Sequence, residues 1–424
     1  MSGAILELTE DRRRALTRLL TAWRLHHAGP GSGEAPVDVR QVEVLRAGRP
    51  GLIDVLAEVN GVTAHAVFGL RRPGQEAHFL RSGEEPIVGL LDDDEGLGVA
   101  VDALRDGELA GLVLSVVTGD PPADDSVALV GEEPEGVVLS FGERCTMTVF
   151  PFLTAGPHPG IELLVALDDA GFNHLAAPLA LWRREGRDLG VVQEFLAGQA
   201  GGFAVALTSL RDLYATGGPP EDAGGDFAPE ARALGTMTAR MHLALDQAFG
   251  REAASVAAWV DEAEARVAAA DPSLLDEPDV APTLASLRSA GLRAVALRTH
   301  GDFHLGRTAR TDQGWVVADC LPGGVADGNG PAHRSPLHDV ADLLWSFHHV
   351  ATVAAQERDP TGRSGLASLA RAWETRNRRA FLTGYLATPG ILGLVPPDKE
   401  VVADLAAVFE LERAASRAPA RERS

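Results

Sequence analysis

An α+β fold, strand-rich in its first half and helical in its second, is predicted by two observations. Up to about residue 200 the apolar residues fall mostly in short β-type runs, and from Ala204 onward they take helical spacing. A hydrophobic content of 45% over 424 residues is also ample for two or three cores.

Taken in order, residues 5–25 carry Leu16, Leu19, Leu20 and Trp23 at helical spacing and end in a Gly/Pro-rich loop at 29–36. Residues 39–45, 52–59 and 63–68 predict strands, while 82–91 and 98–107 predict mixed structure and then a helix. An α+β unit to about residue 125 follows, closed by the Pro- and Asp-rich linker 120–126. Strands are expected at 136–140, 145–150, 176–182 and 189–195, with a helix over 160–170. Helices are then expected at 207–214, 229–249, 256–270, 281–290, 335–354, 366–386 and 399–417, interrupted by strands only at 294–299 and 315–319. Three domains are expected on this basis, at 1–125, 126–200 and 201–424, with a frayed end after Glu412.

A formal charge of -22 disfavours nucleic acid and anionic membrane surfaces as partners. The arginine clusters at 12–14 and 376–379 lie beside acids on helical patterns, which fits solvated helix faces. Cys145 and Cys320 are too few for a disulfide framework, and no apolar run approaches the roughly 18 residues of a membrane span. A cytoplasmic protein is the expectation. The chain has a single lysine, Lys399.

The chemistry concentrates in His300-Gly301-Asp302-Phe303-His304-Leu305, followed by a hairpin and Trp315-Val316-Val317-Ala318-Asp319. An aspartate on a tight loop after a strand can take the proton of a hydroxyl that attacks a γ-phosphate, so Asp302 is the candidate base. Asp319, at the end of an apolar strand, is placed to hold Mg²⁺. His300, Asp302 and His304 alternate and would make a transition-metal site on a straight strand, but Gly301 favours a turn. His242 on an apolar helix fits a satisfied core histidine, and Cys320 fits a small buried hydrophobe.

The first of these segments resembles the catalytic loop of aminoglycoside-phosphotransferase-like kinases. Gly314-Trp315-Val316-Val317, Ser335-Pro336-Leu337-His338-Asp339-Val340-Ala341, Leu344-Trp345-Ser346-Phe347 and Trp373-Glu374-Thr375-Arg376-Asn377-Arg378-Arg379 are similar to maltokinases more narrowly. So are the segment from Gly235 through His242 to Phe249, Val192-Gln193-Glu194-Phe195, and the stretch from Trp23 to Gly31. The resemblance implies a protein-kinase-like, bilobal fold with an N-terminal cap domain, which would phosphorylate maltose or a related sugar with ATP and Mg²⁺ in trehalose or α-glucan metabolism. ATP would lie between the lobes, with Gln193, Glu194 and Phe195 as the strand beside adenine.

Departures from that pattern cluster on the nucleotide. Thr148 stands where the family carries its phosphate-binding lysine, which leaves Glu162, that lysine's partner in the family, without it. Arg307 replaces a metal-binding amide and has no acceptor atom to offer. Cys320-Leu321-Pro322-Gly323-Gly324 replaces an aromatic and acidic run, and the aromatic extension expected beyond Glu410-Leu411-Glu412-Arg413-Ala414 is missing. Two readings follow, a kinase in which Arg144 or another arginine serves the phosphates, and a pseudokinase with a binding or regulatory role.

Overall fold

The structure, a computed structural model, describes residues 4–27, 36–75, 80, 88–121, 126–133, 136–320, 333–358 and 366–417. Most of the 29–36 loop, of the 120–126 linker and of the segment after Cys320 lies outside these residues. The chain forms two compact units, Met1–Glu162 with Ala177–Ala197, and Leu163–Ala176 with Gly198–Ser424. The expected boundary at 125 falls inside the first of them.

The first unit begins with β1 (Ala4–Ile5), α1 (Glu10–His27), β2 (Val37–Arg46), β3 (Gly51–Val59), β4 (Val62–Arg71), β5 (Val88–Asp93), β6 (Gly96–Asp102) and α2 (Gly107–Thr118). It continues with β7 (Val127–Glu133), β8 (Gly136–Phe141), β9 (Cys145–Val149), β10 (Phe152–Leu153), the start of α3 (Pro159–Asp169), β11 (Pro178–Arg184) and β12 (Arg187–Glu194). One antiparallel sheet has the order β1-β2-β3-β4-β6-β5 with β10 beside β4, and a second has the order β11-β12-β9-β8-β7. The helical face of α1 supplies Leu16, Leu19, Leu20 and Trp23 to the core against β2, β3 and β4, as its spacing requires.

Two expectations fail here. Residues 98–107 form β6 and a short 3-10 turn rather than a helix, because β6 finds partners on both sides, in β4 and β5. The helix starts only at Gly107, capped by the Asp106 carboxylate, which accepts from Leu109 N–H at 3.1 Å. At the N-terminus α1 begins at Glu10, since Ala4 and Ile5 pair with β2.

Within this unit a charged network is buried. Arg184 Nη1 lies 2.7 Å from Glu43 and 2.8 Å from Asp54, and Asp54 lies 3.0 Å from His65 Nε2.

The second unit holds β13 (Ala200–Gly201), α4 (Gly202–Thr216), α5 (Ala228–Phe249), β14 (Arg251–Ser255), α6 (Val256–Ala270), α7 (Val280–Ser289) and β15 (Arg293–Arg298). It ends with β16 (Thr308–Thr311), β17 (Gly314–Val317), β18 (His333–Arg334), α8 (Leu337–Arg358), α9 (Leu366–Leu386) and α10 (Lys399–Arg417). Helices α6, α9 and α10 have the bounds their spacing predicts, whereas β13, β14, β16 and β18 are too short or too polar to show a pattern. Helices α5 and α9 pack with their backbones close. A Cβ on Gly235 would stand 2.1 Å from the Phe381 carbonyl, and one on Gly384 would stand 2.0 Å from that of Arg232. Phe227, Phe347, Trp373 and Phe381 fill the core around that seam, with Trp373 stacked on Phe227 at 5.6 Å. Among the described residues no helix is long and apolar enough to cross a membrane.

The Arg184 network predicts a stability difference. Replacing Arg184 with Met removes the guanidinium shared by two buried carboxylates and should cost about 3–5 kcal/mol in urea denaturation. The same change at Arg14, whose contacts to Glu10 and Asp11 are exposed, should cost less than about 1 kcal/mol. Equal losses would deny the buried network any special weight.

Candidate functional site

The loop after β15 is set by one buried carboxylate. Asp339, in the first turn of α8 and wholly inaccessible, accepts the His300 backbone N–H at 2.8 Å and that of Gly301 at 2.9 Å. Its Oδ2 is also 3.1 Å from His242 Nε2, and His242 Nδ1 is 2.9 Å from the Tyr385 hydroxyl. A carboxylate only accepts here, so Nε2 carries the proton and Nδ1 accepts from the Tyr385 O–H. Burial, the largest single influence, would raise the Asp339 pKa, but the bond from His242 together with the other contacts of the loop holds the group below its ordinary value. The chain Tyr385, His242, Asp339 thus ties α9, α5 and α8 to the loop. Gly301, at φ 91°, turns it.

Beyond the turn Asp302 is gripped by cations. Arg413 from α10 donates to Oδ1 at 2.5 Å, Arg307 Nη2 to Oδ2 at 3.4 Å, and His304 Nε2 and Arg417 Nη2 stand at 3.5 and 3.6 Å. Burial would raise the Asp302 pKa, but the contacts of His304 and then Arg413 prevail and hold it well below the carboxylate range. Arg307 donates its other Nη to Asp319, so one guanidinium bridges both predicted aspartates. Burial opposes the Arg307 charge, yet Asp319 and then Asp302 keep its pKa above the ordinary value.

Asp302 and Asp319 are therefore brought together as their spacing predicts, but Asp319 is engaged by Arg307. A guanidinium has no lone pair for a metal and takes up the carboxylate oxygens that Mg²⁺ would need. With Arg307 on Asp319, the residues as arranged do not fit Mg²⁺. Of the alternating residues, His304 reaches Asp302 at 3.5 Å but His300 turns away from both. His300 Nε2 bonds the Asp319 carbonyl at 2.8 Å, and His304 Nδ1 accepts from Gly306 N–H at 3.1 Å. Cys320 is buried, and that burial, then Asp319, pushes its thiol pKa far up, so it behaves as a hydrophobe.

The nucleotide-side expectations lie in the first unit. Gln193 and Glu194 end β12, paired through the backbone with β9 on one side, with Gln193 opposite Pro178 and Glu194 N–H bonded to the Ala177 carbonyl at 2.9 Å on the other. Phe195 follows the last paired residue. Glu162 sits in the first turn of α3, where the helix dipole favours an acid. Thr148 is buried in β9, and Arg144 lies in the exposed turn joining β8 to β9. The single lysine is the exposed first residue of α10.

The contribution of α10 and of Asp342 was not legible from sequence. Arg413 and Arg417 share a face of α10 at i and i+4, a spacing that gives no sign of a target 111 residues from Arg413. Asp342, one turn after Asp339 on α8, is 3.4 Å from Arg413 Nε, and burial, its largest influence, pushes it from 3.8 up to about 7.

Two outcomes are expected. A carboxyl whose pKa is raised on folding binds its proton more tightly in the native state, so its contribution to stability falls as pH rises between 3.8 and about 7. Asp342→Asn should remove that fall, flattening the urea midpoint across this window, and an unchanged slope would locate the titration elsewhere. In Arg307→Asn, both aspartates lose their shared cation and gain an amide oxygen beside them. Calorimetry should then detect Mg²⁺ binding at least tenfold tighter than in the wild type, roughly one charge-assisted contact. No gain would mean that Arg307 is not what keeps a metal out.

Comparison with known proteins returns no matching family model. A glucosamine kinase from Streptacidiphilus jiangxiensis is 32% identical over 300 residues, which cover 66% of this chain and 66% of that protein, just under two thirds of its length. A solved glucosamine kinase in complex with glucosamine, ADP and inorganic phosphate superposes with a TM-score of 0.60 at 22% identity, over 95% of each chain. Another crystal form of a glucosamine kinase also gives 0.60, at 23% identity, over 90% of this chain and 88% of the other. The chain thus has the kinase-like α+β fold of the glucosamine kinase structures, as its catalytic-loop segment and element order predict.

Proposed function

We propose that this chain is an ATP-dependent phosphotransferase acting on a hydroxyl of a small sugar. The observation that carries the reading is the loop in which Asp339 clamps two successive backbone N–H groups and so presents Asp302. The glucosamine kinase of the same fold, solved with glucosamine, ADP and phosphate, supports it, as does the 32% identical relative.

In this reading the sugar hydroxyl attacks the γ-phosphorus, its proton passes to the Asp302 carboxylate, and the bond to the β-phosphate oxygen breaks to release ADP. A carboxylate held well below its usual pKa is fully ionised at neutral pH and weakly basic, so Asp302 acts more by orienting the hydroxyl than by basicity. No step is routed through a metal, and the Arg307 guanidinium supplies positive charge at Asp302 and Asp319. On the first unit, Gln193 and Glu194 spend backbone groups within the sheet, so Phe195 is the residue of the three whose backbone is offered to adenine. Glu162 serves at the phosphate end. Three domains, a cap at 1–125, a nucleotide lobe at 126–200 and a sugar-binding lobe at 201–424, remain our functional division. Maltose and glucosamine are both acceptors to be tried.

A second reading is a sugar-binding pseudokinase. It is favoured by Thr148 in place of the expected lysine and by the cations that hold Asp302.

Turnover decides between them. With saturating ATP and Mg²⁺, coupled ADP release should be measurable with glucose, glucosamine or maltose, and Asp302→Asn should lower it by roughly 10² to 10⁴. If no sugar among them is phosphorylated above the Asp302→Asn background, the enzyme reading is lost for those acceptors and the pseudokinase reading stands.

A further inference from the structure

Beside Asp302 the second unit has a cavity of about 440 Å³. Its wall includes Phe203, His304, Trp345, His349, Arg413 and Arg417, and none of its lining residues is a carboxylate. The rings of Trp345 and His349 stack at 5.0 Å, Phe203 lies 5.9 Å from His349, and the Arg413 guanidinium lies over Trp345 at 5.9 Å. Flat apolar faces and cationic groups thus share one small space.

The two arginines are not equally committed. Arg413 has a side chain only 14% exposed and is spent on Asp302 and Asp342. Arg417, one turn later, is 50% exposed and reaches no closer than 3.6 Å to Asp302. Its long contact leaves most of the guanidinium fork turned to other partners. Asp342 offsets Arg413 only partly, since burial holds its pKa near neutrality. Burial and then Arg417 lower the His349 pKa, so that ring adds a neutral face. The end of α10 opposes these cations with about half a negative charge, less than the full charge of Arg417.

We propose that this cavity takes a sugar bearing an anionic group, with Arg417 pairing the anion and the sugar lying against Trp345 and His349. This names the acceptor class and rests on the phosphotransfer reading for its catalytic meaning. The amino group of glucosamine, as an ammonium ion, would meet two guanidinium groups, and the nearest carboxylate, Asp302, is outside the wall and already faces both of them. A carboxylate or a phosphate ester would instead find the two-pronged geometry that a guanidinium offers.

The test is calorimetry on the full chain without nucleotide, using glucuronate, glucose 6-phosphate, glucose and glucosamine. At least one of the two anionic sugars should bind roughly tenfold more tightly than glucose, the weight of a charge-assisted contact, with glucosamine the weakest. Glucuronate alone would identify the carboxylate, and glucose 6-phosphate alone the phosphate. Arg417→Gln should abolish the preference and Arg417→Lys should keep part of it. The proposal fails if glucosamine binds as tightly as the better-bound anion, if none of the four binds, or if Arg417→Gln leaves the order unchanged. Turnover of glucosamine that Asp302→Asn abolishes would sink this proposal while leaving the phosphotransfer reading intact.

Discussion

The site depends on the Asp339 carboxylate more than on any group that would touch a substrate. A buried charge is costly unless its oxygens are satisfied, and here they take two backbone N–H groups and a histidine. Because those N–H groups belong to consecutive residues, the carboxylate fixes the loop's orientation as well as its place. The Gly235 and Gly384 contact brings α5 and α9 close enough for His242 to reach Tyr385. Backbone packing in the helical core thereby helps set where the Asp302 carboxylate stands some distance away.

The arginine-rich composition reappears in the chemistry. A lysine is a point charge that can satisfy one carboxylate well, whereas the planar fork of Arg307 spans Asp302 and Asp319 together. Such a bridge draws two acids into one geometry and spends the same oxygens that a divalent ion would use. The ionised state of Asp302 owes more to His304 and Arg413 than to this bridge.

Much of the fold could be read from spacing, and the reasons for the exceptions are physical. Helices α6, α9 and α10 are long and amphipathic, so their ends were legible to the residue. The segment around β6 was not, because its apolar run is compatible with either period and only the neighbouring strands decide. At the site, Asp302 and Asp319 were legible because the loop and hairpin between them are local in sequence. The contact of Arg307 with Asp319 was not legible, although Arg307 itself stood out, because only three-dimensional geometry reveals it. Arg413 and Asp342 were hidden for the same reason, each being an unremarkable charge on its own helix.

Helix α10 packs on α6 and α8 and lays Arg413 on Asp302, a contact spanning 111 residues. Contacts of such separation form late, after the loop-closure entropy has been met by the docking of the whole helix. During synthesis the loop of Asp302 therefore emerges well before Arg413. Until α10 arrives, Asp302 has Arg307 and His304 beside it but lacks the Arg413 contact. The last helix of the described residues thus completes the charge balance of a loop 111 residues before it, and it does so only once that helix has been made and docked.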